Sequence, residues 1–303
     1  MRFFTDLNPV DLDSSEESTA VALGFFDGVH KAHAQVIGAV TASSLVPSVL
    51  TFCIGEHTPR NKFGVRTILT DEQKLERFKA LGVQKVWMPP FEELADLSPE
   101  DFFREILLNR LHARELSCGY DYTFGRNAAG GVELLSRLCD ESGVRLSVLP
   151  AFDQDHTLVS STAIRKFLLD GDVPAATAQL GYPYYILGEV VHGRSLGKTL
   201  GFPTLNQPFL STQLVPRYGV YNSTTEIAGQ IYASITNIGV KPTIEGERAP
   251  LAETYLIGGE GDFYGEVARV ALIEMTRPER KFESLDELRD TVHRDIAARG
   301  CQI

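Results

Sequence analysis

The sequence predicts two domains: a doubly wound α/β domain with a parallel sheet, then a small antiparallel β-barrel with a C-terminal helix. From about residue 19 to 180, short, uniformly apolar segments alternate with helical patterns, as in parallel sheets covered on both faces. Residues 184–275 instead contain strand-like segments separated by Gly, Pro and Asn turns. The 303 residues also suffice for two domains of roughly 150 residues each. We therefore predict domains 1–183 and 184–303.

Five segments are expected to form the parallel sheet of the first domain. They are TAVALGFF (19–26), PSVLTF (47–52), VQKVWM (83–88), ELSCG (115–119) and VRLSVLP (144–150). Two helix starts between them carry capping signals. Thr70 followed by Gln73 is a capping box, and Ser98 before Pro99 is an N-cap followed by a first-turn proline. The apolar face of the helix after Thr70 is predicted to comprise Leu75, Phe78 and Leu81.

The second domain is predicted to be a closed antiparallel sheet. Its candidate strands are YYILGEVVHG, GVYNSTTE, GQIYASITNIG, AETYLIG and EVARVALIEM. A C-terminal helix follows, because Ser284 and Glu287 form a capping box. Its predicted apolar stripe is Leu285, Leu288, Val292 and Ile296.

Composition and charge narrow the functional classes. The net charge of −11 argues against a broad surface for nucleic acid or anionic membrane. No apolar run reaches the roughly 20 residues that a membrane helix needs, and the N-terminus has no signal-peptide core. The four cysteines have neither CxxC nor metal-ligand spacing, so we expect reduced thiols. The cytoplasm is the expected location.

A candidate phosphate site follows the first strand, in the segment GFFDGVHKAH (24–33). This segment opens a helix, and the unpaired N–H groups and partial positive charge of a helix N-terminus attract anions. His30 and His33 have the spacing of one helical face, and Gly28 permits a tight turn. A metal pair or two surface histidines are the alternatives, but no third metal ligand has motif spacing.

A second candidate anion site is SSTAIR (160–165), which follows the fifth predicted strand and begins another helix. Hydroxyls and main-chain amides at the helix start, with Arg165 one turn later, suit a phosphate. Helix capping alone would explain Ser161 but not the arginine. Both segments are predicted at carboxyl ends of strands, where doubly wound sheets bind ligands.

The third candidate site is the glycine-rich segment HGRSLGKTLGFPTLN (192–206). It lacks the GxxxxGK[ST] spacing of a Walker A motif. Its small residues with Arg194 and Lys198 indicate a phosphate loop, and Thr204 and Asn206 offer oxygen ligands to a hard cation. A flexible hairpin between strands remains an alternative on composition alone.

These motifs resemble those of one protein family. The segment 24–33 resembles the GxFDGxHxGH signature of the nucleotidyltransferase superfamily, and SSTAIR its second phosphate motif. GYDYTFGRNAAG (119–130) is similar to the intervening segment in bacterial bifunctional riboflavin kinase/FAD synthetases. The segment 192–206 resembles the riboflavin kinase signature GxxLGxxLGFPTxN. TNIGVKPTI, AETYLI and residues 261–288 resemble later segments of this family, so the likeness covers nearly all of residues 19–298.

The resemblance implies two reactions: phosphorylation of riboflavin by the barrel, and adenylylation of FMN by the first domain with release of pyrophosphate. ATP, riboflavin and FMN would be the partners, with Mg²⁺ bound alongside ATP. The implied catalytic residues are Glu253, as general base of the kinase, and His30, His33 and Arg165. The implied nucleotide or phosphate ligands are Gly24, Phe26, Asp27, Gly28, Ser160, Ser161, Thr162, Gly193, Lys198, Gly201, Pro203 and Thr204. Thr204 and Asn206 would meet the metal, and Asp121, Phe124, Arg277 and Phe282 the flavin.

Two departures from the family pattern leave alternatives open. Ala32 stands where the HxGH signature has glycine, and residues 52–59 replace an FxPHP segment. One alternative is therefore a riboflavin kinase whose first domain binds nucleotide or flavin with weakened catalysis. Another is a nucleotidyltransferase domain that acts on a different phosphorylated alcohol.

Overall fold

The computed structural model describes residues 1–5, 17–53, 66–154, 157–192, 202–242, 248–280 and 282–300. The chain divides into two compact units, Met1–Ser161 and Thr162–Ile303. Among the helices of these described ranges, none is long and apolar enough to cross a membrane.

The first unit is built on a six-stranded parallel sheet, as predicted. Its strands are β1 Arg2–Phe4, β2 Thr19–Leu23, β3 Val46–Leu50, β4 Lys85–Trp87, β5 Ala113–Gly119 and β6 Arg145–Leu149. The spatial order is β1-β4-β3-β2-β5-β6, and every pairing is parallel. The five predicted strands are confirmed. β1 was not predicted, since three residues at a sheet edge are too short for a periodic signal.

The strand order makes the carboxyl end of β2 a topological switch point of the sheet. This strand is the first of the five predicted ones, yet it lies at the centre between β3 and β5. All five of its residues are buried, which explains its uniformly apolar sequence. Connections leave in opposite directions on its two sides, and doubly wound folds bind ligands at such a switch point, beyond the carboxyl ends of the strands. The segment 24–33 begins there.

Two helices of the first unit, those after Thr70 and Ser98, begin where their capping signals predict. The helices of this unit are α1 Lys31–Thr41, α2 Asp71–Ala80, α3 Glu92–Ala95, α4 Pro99–Asp101 and α5 Val132–Ser142, with a π-helical continuation of α4 over Phe102–Arg110 and a 3₁₀ turn at Arg126–Ala128. The capping box of α2 is complete: Thr70 Oγ1 accepts from Gln73 N (3.3 Å), and Gln73 Oε1 accepts from Thr70 N (2.8 Å). Ser98 Oγ likewise accepts from Asp101 N (3.0 Å). A two-stranded hairpin, β7 Asp153–Gln154 and β8 Thr157–Leu158, follows β6.

The second unit contains the predicted barrel. Two helices, α6 Ser161–Asp170 (beginning at the last residue of the first unit) and α7 Val173–Leu180, precede it. Its strands are β9 Tyr185–Glu189, β10 Thr204–Pro208, β11 Gly219–Ile227, β12 Gln230–Pro242, β13 Arg248–Leu256 and β14 Val267–Pro278. They pair antiparallel in the order β10-β13-β12-β11-β14-β9, and a bridge between Val191 and Asn206 links the two ends. Helix α8, Leu285–Gly300, contacts β12.

The N-terminus of α8 is capped much as predicted. Ser284 Oγ accepts from Glu287 N (3.1 Å), while the Glu287 carboxylate accepts from Glu283 N (2.9 Å) rather than from the main chain of Ser284. The side chains of Leu285 and Leu288 lie outside the described residues.

One face of the barrel sheet carries a buried hydroxyl network. Ser223 bonds to Ser234 (2.8 Å) and to Thr236 (2.8 Å), and Thr236 bonds to Thr254 (2.9 Å). These four side chains have no exposed surface. Since side chains alternate along a strand, the residues between them face the other way. Glu253 therefore points to the opposite face of the sheet, where its side chain is partly exposed.

Candidate functional site

The turn after β2 has an unusual main-chain conformation. Phe26 (φ 52°), Gly28 (φ 83°) and Val29 (φ 35°) all have positive φ within four residues. Glycine adopts this conformation readily, but the two larger residues do so only where the surroundings hold them. The Phe26 ring is 2% exposed and packs edge-on against His33 (5.3 Å between ring centroids) and Phe78 (5.9 Å). The turn is therefore held rigidly, as a phosphate cradle requires.

The two histidines of the motif lie side by side at the start of α1. Their rings stack with centroids 3.5 Å apart and planes 15° from parallel. His30 is the N-cap of the helix, and its Nδ1 accepts from His33 N (3.3 Å). An imidazole nitrogen that accepts carries no proton, so the proton of a neutral His30 is on Nε2. His30 can therefore cap the helix with one nitrogen and donate to a phosphate with the other.

Asp27 connects the first motif with the second. Its carboxylate is 2% exposed and accepts from Ile68 N (2.8 Å), and its main-chain carbonyl accepts from Ser161 Oγ (2.8 Å). This hydrogen bond brings the start of SSTAIR to the turn after β2. Ser160 immediately precedes α6, while Thr162 and Arg165 lie on α6 within the second unit.

The two flavin-binding candidates of the first unit have different surroundings. Asp121 is exposed just beyond the carboxyl end of β5. Phe124 is only 5% exposed and packs in the core against Phe102 (5.6 Å) and Tyr122 (5.9 Å). In this conformation Asp121 is accessible to a ligand and the Phe124 ring is not.

The barrel brings the predicted base and the predicted cation ligands together. Glu253 on β13 is directly opposite Asn206 on β10 and Asn237 on β12, so the three residues form one row across the sheet. Asn237 Nδ2 donates to Glu253 Oε2 (3.4 Å). Thr204 lies two residues before Asn206 and so shares its face. A hydroxyl, two amides and a carboxylate thus converge on one side of the sheet.

Only part of the predicted phosphate loop lies within the described residues. Gly193, Lys198 and Gly201, with Arg194, lie outside the described residues. Pro203 is exposed, next to Phe202, whose ring contacts Tyr255 (5.6 Å) and His293 (4.9 Å) edge-on. Since Thr204 and Asn206 follow directly, the loop ends at the row that contains Glu253.

Arg277 lies on the wall of a pocket between β14 and α8. Its guanidinium donates to Asp295 through Nη2 (2.9 Å) and Nε (3.2 Å), and is 5.8 Å from the centroid of the Phe282 ring. The pocket has a volume of about 310 Å³ and is lined by Arg277, Pro278, Arg280, Thr291, Arg294 and Asp295. Arg277 and Glu253 belong to the same row of residues across the sheet, because Val220 on β11 is opposite both Arg277 and Asn237. Strands β11 and β12 therefore lie between the strand of Arg277 and the strand of Glu253.

Sequence reasoning missed two polar residues next to these sites. Asn237 was only part of a quoted motif, although the register places it against Glu253. Lys74 lies in the helix predicted after Thr70 but outside its predicted apolar face, yet it is 0% exposed and its Nζ reaches the end of β3. No local pattern identifies either residue, because both contacts join segments distant in sequence.

The family models and the curated relatives that match this chain name one family. A model described as riboflavin kinase matches residues 180–300, and one described as FAD synthetase matches residues 12–163. A bifunctional riboflavin kinase/FMN adenylyltransferase from Bacillus subtilis (strain 168) is 32% identical over 302 residues, covering 95% of this chain and 94% of the relative. The protein of the same name from Escherichia coli (strain K12) is 32% identical over 292 residues, covering 92% and 91%. A crystal structure described as a macrolide-efflux protein from Streptococcus pneumoniae matches with a TM-score of 0.84, at 28% identity, over 99% of each chain.

Proposed function

This chain belongs to the family of bifunctional riboflavin kinases/FMN adenylyltransferases, and from that membership we propose which of its residues carry out each reaction. The enzyme phosphorylates riboflavin to FMN with ATP and then adenylylates FMN to FAD. The kinase-only alternative is not favoured, because the FAD synthetase model matches residues 12–163. In addition, the relatives named as bifunctional match this chain over more than 90% of their own length.

For the kinase reaction we assign the general base to Glu253. In that role its carboxylate takes the proton of the flavin's ribityl hydroxyl, the hydroxyl oxygen attacks the γ-phosphorus of ATP, and ADP leaves. The hydrogen bond from Asn237 Nδ2 to Glu253 Oε2 supports this assignment, because it orients the carboxylate. A general base contributes typically 10²–10⁴ to the rate. The position of Glu253 between Asn206 and Asn237 is the observation on which this assignment rests.

We propose Mg²⁺ as the cation of the kinase site, held by Thr204 and Asn206. The donor set fits: Asn206 Nδ2 donates to Thr204 O (3.3 Å), so the amide oxygen is the end presented to a cation. A hydroxyl and an amide oxygen are ligands that a hard cation accepts. When bound, Mg²⁺ would neutralise charge on the ATP phosphates, and Thr204 and Asn206 would hold it.

For the adenylyl transfer we assign phosphate binding to the turn after β2. In this reaction an FMN phosphate oxygen attacks the α-phosphorus of ATP and pyrophosphate leaves. His30, through Nε2–H, and His33 would stabilise the charge that develops on the leaving group. The remaining phosphate contacts we assign as the family resemblance implies, to Gly24, Gly28, Ser160, Ser161, Thr162 and Arg165. The rigid turn and the stacked histidines support this assignment.

For riboflavin in the kinase unit we propose the pocket beside Arg277 and Phe282. Its volume of about 310 Å³ is within the range of small-molecule pockets, which begins at about 300 Å³. It lies across the sheet from Glu253, so a flavin ring there could extend its ribityl chain toward the base.

One experiment tests both activities together. The purified protein is incubated with riboflavin, ATP and Mg²⁺, and riboflavin, FMN and FAD are separated over time. We expect FMN first and FAD second, with neither product when a chelator removes the metal. FMN without FAD would contradict the adenylyl-transfer assignment, and FAD formation from supplied FMN without kinase activity would contradict the kinase assignment.

A further inference from the structure

A lysine is completely buried beneath the turn that follows β2. Lys74 is in the first turn of α2, and its side chain is 0% exposed. Lysine is almost never fully buried, since its ammonium loses the hydration it has in water. The predicted apolar face of this helix, Leu75, Phe78 and Leu81, does not require it there. The contacts of Lys74 must therefore explain its position.

The ammonium group joins the ends of the two central strands. Lys74 Nζ donates to Thr51 Oγ1 (3.2 Å) and to the main-chain carbonyl of Phe52 (3.3 Å), both just beyond β3. Thr51 Oγ1 donates in turn to the carbonyl of Phe25 (2.9 Å). Lys74 Nζ also lies 4.8 Å from the centroid of the Phe25 ring. A two-step hydrogen-bond chain thus runs from Lys74 to the main chain of the turn.

The same ammonium is in the field of two carboxylates. Burial lowers the pKa of Lys74, while Asp71 and Asp27, and more weakly the Cys53 thiol, raise it. Asp27 belongs to the turn itself, where it accepts from Ile68 N and Ser161 Oγ. Lys74 therefore reaches the turn through Thr51, whose hydroxyl bonds to the Phe25 carbonyl, and through the Phe25 ring, while the Asp27 carboxylate stabilises its positive charge.

We infer that Lys74 is a positioning residue for adenylyl transfer, which fixes the turn of residues 24–29 through Thr51 and Phe25. The inference rests on the proposed role of this turn in phosphate binding. The turn needs such support because Phe26 and Val29 have positive φ, a strain that persists only where neighbouring groups determine the conformation. Without Lys74, the main-chain amides and the Nε2–H of His30 lose their alignment to the phosphates.

The test compares Lys74→Met with the natural protein in both reactions. Methionine keeps a long unbranched side chain and removes the charge and the donors. We expect kcat for FAD formation from FMN and Mg-ATP to fall about 10²-fold, the scale of a small misplacement of catalytic groups. The KM values for FMN and ATP should change less than kcat, and FMN formation should stay within about twofold. FAD formation within twofold of the natural rate would overturn the inference.

A matched control separates positioning from loss of stability. Thr70→Ala removes the N-cap of the same helix and leaves Lys74 in place. This variant should unfold at a lower temperature, yet make FAD at close to the natural rate under conditions where it is folded. If Thr70→Ala reduced kcat as much as Lys74→Met, the effect of Lys74 would be one of helix stability, and the inference would fail.

A double-mutant cycle with Thr51→Val tests the hydrogen-bond chain itself. Thr51→Val removes the hydroxyl between Lys74 and Phe25 and should lower kcat for FAD about fivefold, the equivalent of one ordinary hydrogen bond. In the Lys74→Met background the same change should add little, since coupled residues are not additive. If the losses in kcat from the two substitutions were fully additive, the proposed hydrogen-bond chain would be wrong. If Lys74→Met does not fold, an undiminished kcat in Thr51→Val alone overturns it.

The failure of the proposed function looks different from the failure of this inference. A natural protein that makes FMN but no FAD would overturn both, before any substitution is made. A natural protein that makes FAD, with Lys74→Met and Thr51→Val equally active, would overturn the inference alone.

Discussion

Asn206 and Glu253 are directly opposed on neighbouring antiparallel strands of the barrel. Side chains in such a pair have Cβ atoms about 4.5–5.5 Å apart. A proposed cation ligand and a proposed base are therefore adjacent, although 47 positions separate them in the chain. The barrel register, rather than the glycine-rich loop alone, assembles the proposed kinase site. Substitutions along this row should affect FMN formation and leave FAD formation from supplied FMN intact.

Glu253→Gln tests the proposed base. The amide keeps the size of the side chain but cannot accept the ribityl proton, so FMN formation should fall at least ~10²-fold. FAD synthesis from supplied FMN should persist. The measurement is the initial rate of each product with the same enzyme preparation. FMN formation close to the natural rate would mean that another group takes the proton.

Asn237→Ala tests whether the neighbouring amide orients Glu253. Loss of the bond to Glu253 Oε2 should lower the kinase rate roughly fivefold to tenfold, about the equivalent of one ordinary hydrogen bond. Asn222→Ala is the matched control, because Asn222 Nδ2 makes the same type of bond to Glu274 (2.9 Å) in another row of the sheet. It should lower stability but largely spare the rate. Equal rate losses in the two variants would argue against a specific role for Asn237.

The predictable part of this structure is the part encoded by local patterns. The apolar run of β2 is explained by its complete burial, and the Thr70 capping box follows from residues three positions apart. Lys74 and Asn237 could not be identified in this way. Their roles depend on Thr51 and Glu253, 23 and 16 positions away, and on a strand register that no short motif specifies.

The face of α2 that is buried also differs from the one that the apolar spacing predicts. The apolar spacing predicts Leu75, Phe78 and Leu81 on the inward face, but of these only Phe78 is fully buried. Gln73 and Lys74 are buried instead, because hydrogen bonds at the helix cap and at the strand ends satisfy their polar groups. Tertiary partners thus override the hydrophobic pattern.

His30→Asn separates the two roles of His30. Asparagine is among the best N-cap residues, so the helix start should be retained, whereas the Nε2–H donor is lost. FAD formation should fall about 10²–10³-fold, as on removal of one preorganised donor to a developing charge. His30→Ala should lose the same rate and, in addition, about 1 kcal/mol of stability with the cap. Thermal unfolding and FAD rates measured on both variants check this, and an active His30→Asn would assign His30 to capping alone.

Two fragments test where the kinase domain begins. Arg217 N donates to Leu168 O (2.9 Å) and Arg217 Nη1 to Asp170 O (3.1 Å), and α7 contacts β14. Residues 161–303 keep these contacts, whereas residues 184–303 lose both helices. We expect both fragments to phosphorylate riboflavin, the longer one with a higher unfolding temperature. Equal unfolding temperatures would show that the helices add nothing to the barrel.

The last test concerns Ala32, the second residue of α1, where the family signature has glycine. A methyl group there matters only if a phosphate or the nucleotide must approach that Cα closely. Overpacking at a tight site costs typically 1–3 kcal/mol, roughly ten- to 150-fold in rate if all of it falls on the transition state. We therefore expect weak to moderate FAD synthesis in the natural protein and a higher rate in Ala32→Gly, with FMN formation unchanged.

Glycine also loosens a helix by up to ~1 kcal/mol, which would offset part of this gain. Ala34→Gly is the matched control, since it loosens the same helix two residues later, outside the HxGH positions. FAD formation should rise in Ala32→Gly and not in Ala34→Gly. An unchanged rate in Ala32→Gly would mean that the nucleotide does not approach this Cα. A rate that rises equally in both variants would mean that mobility of α1, rather than space beside the phosphates, limits adenylyl transfer.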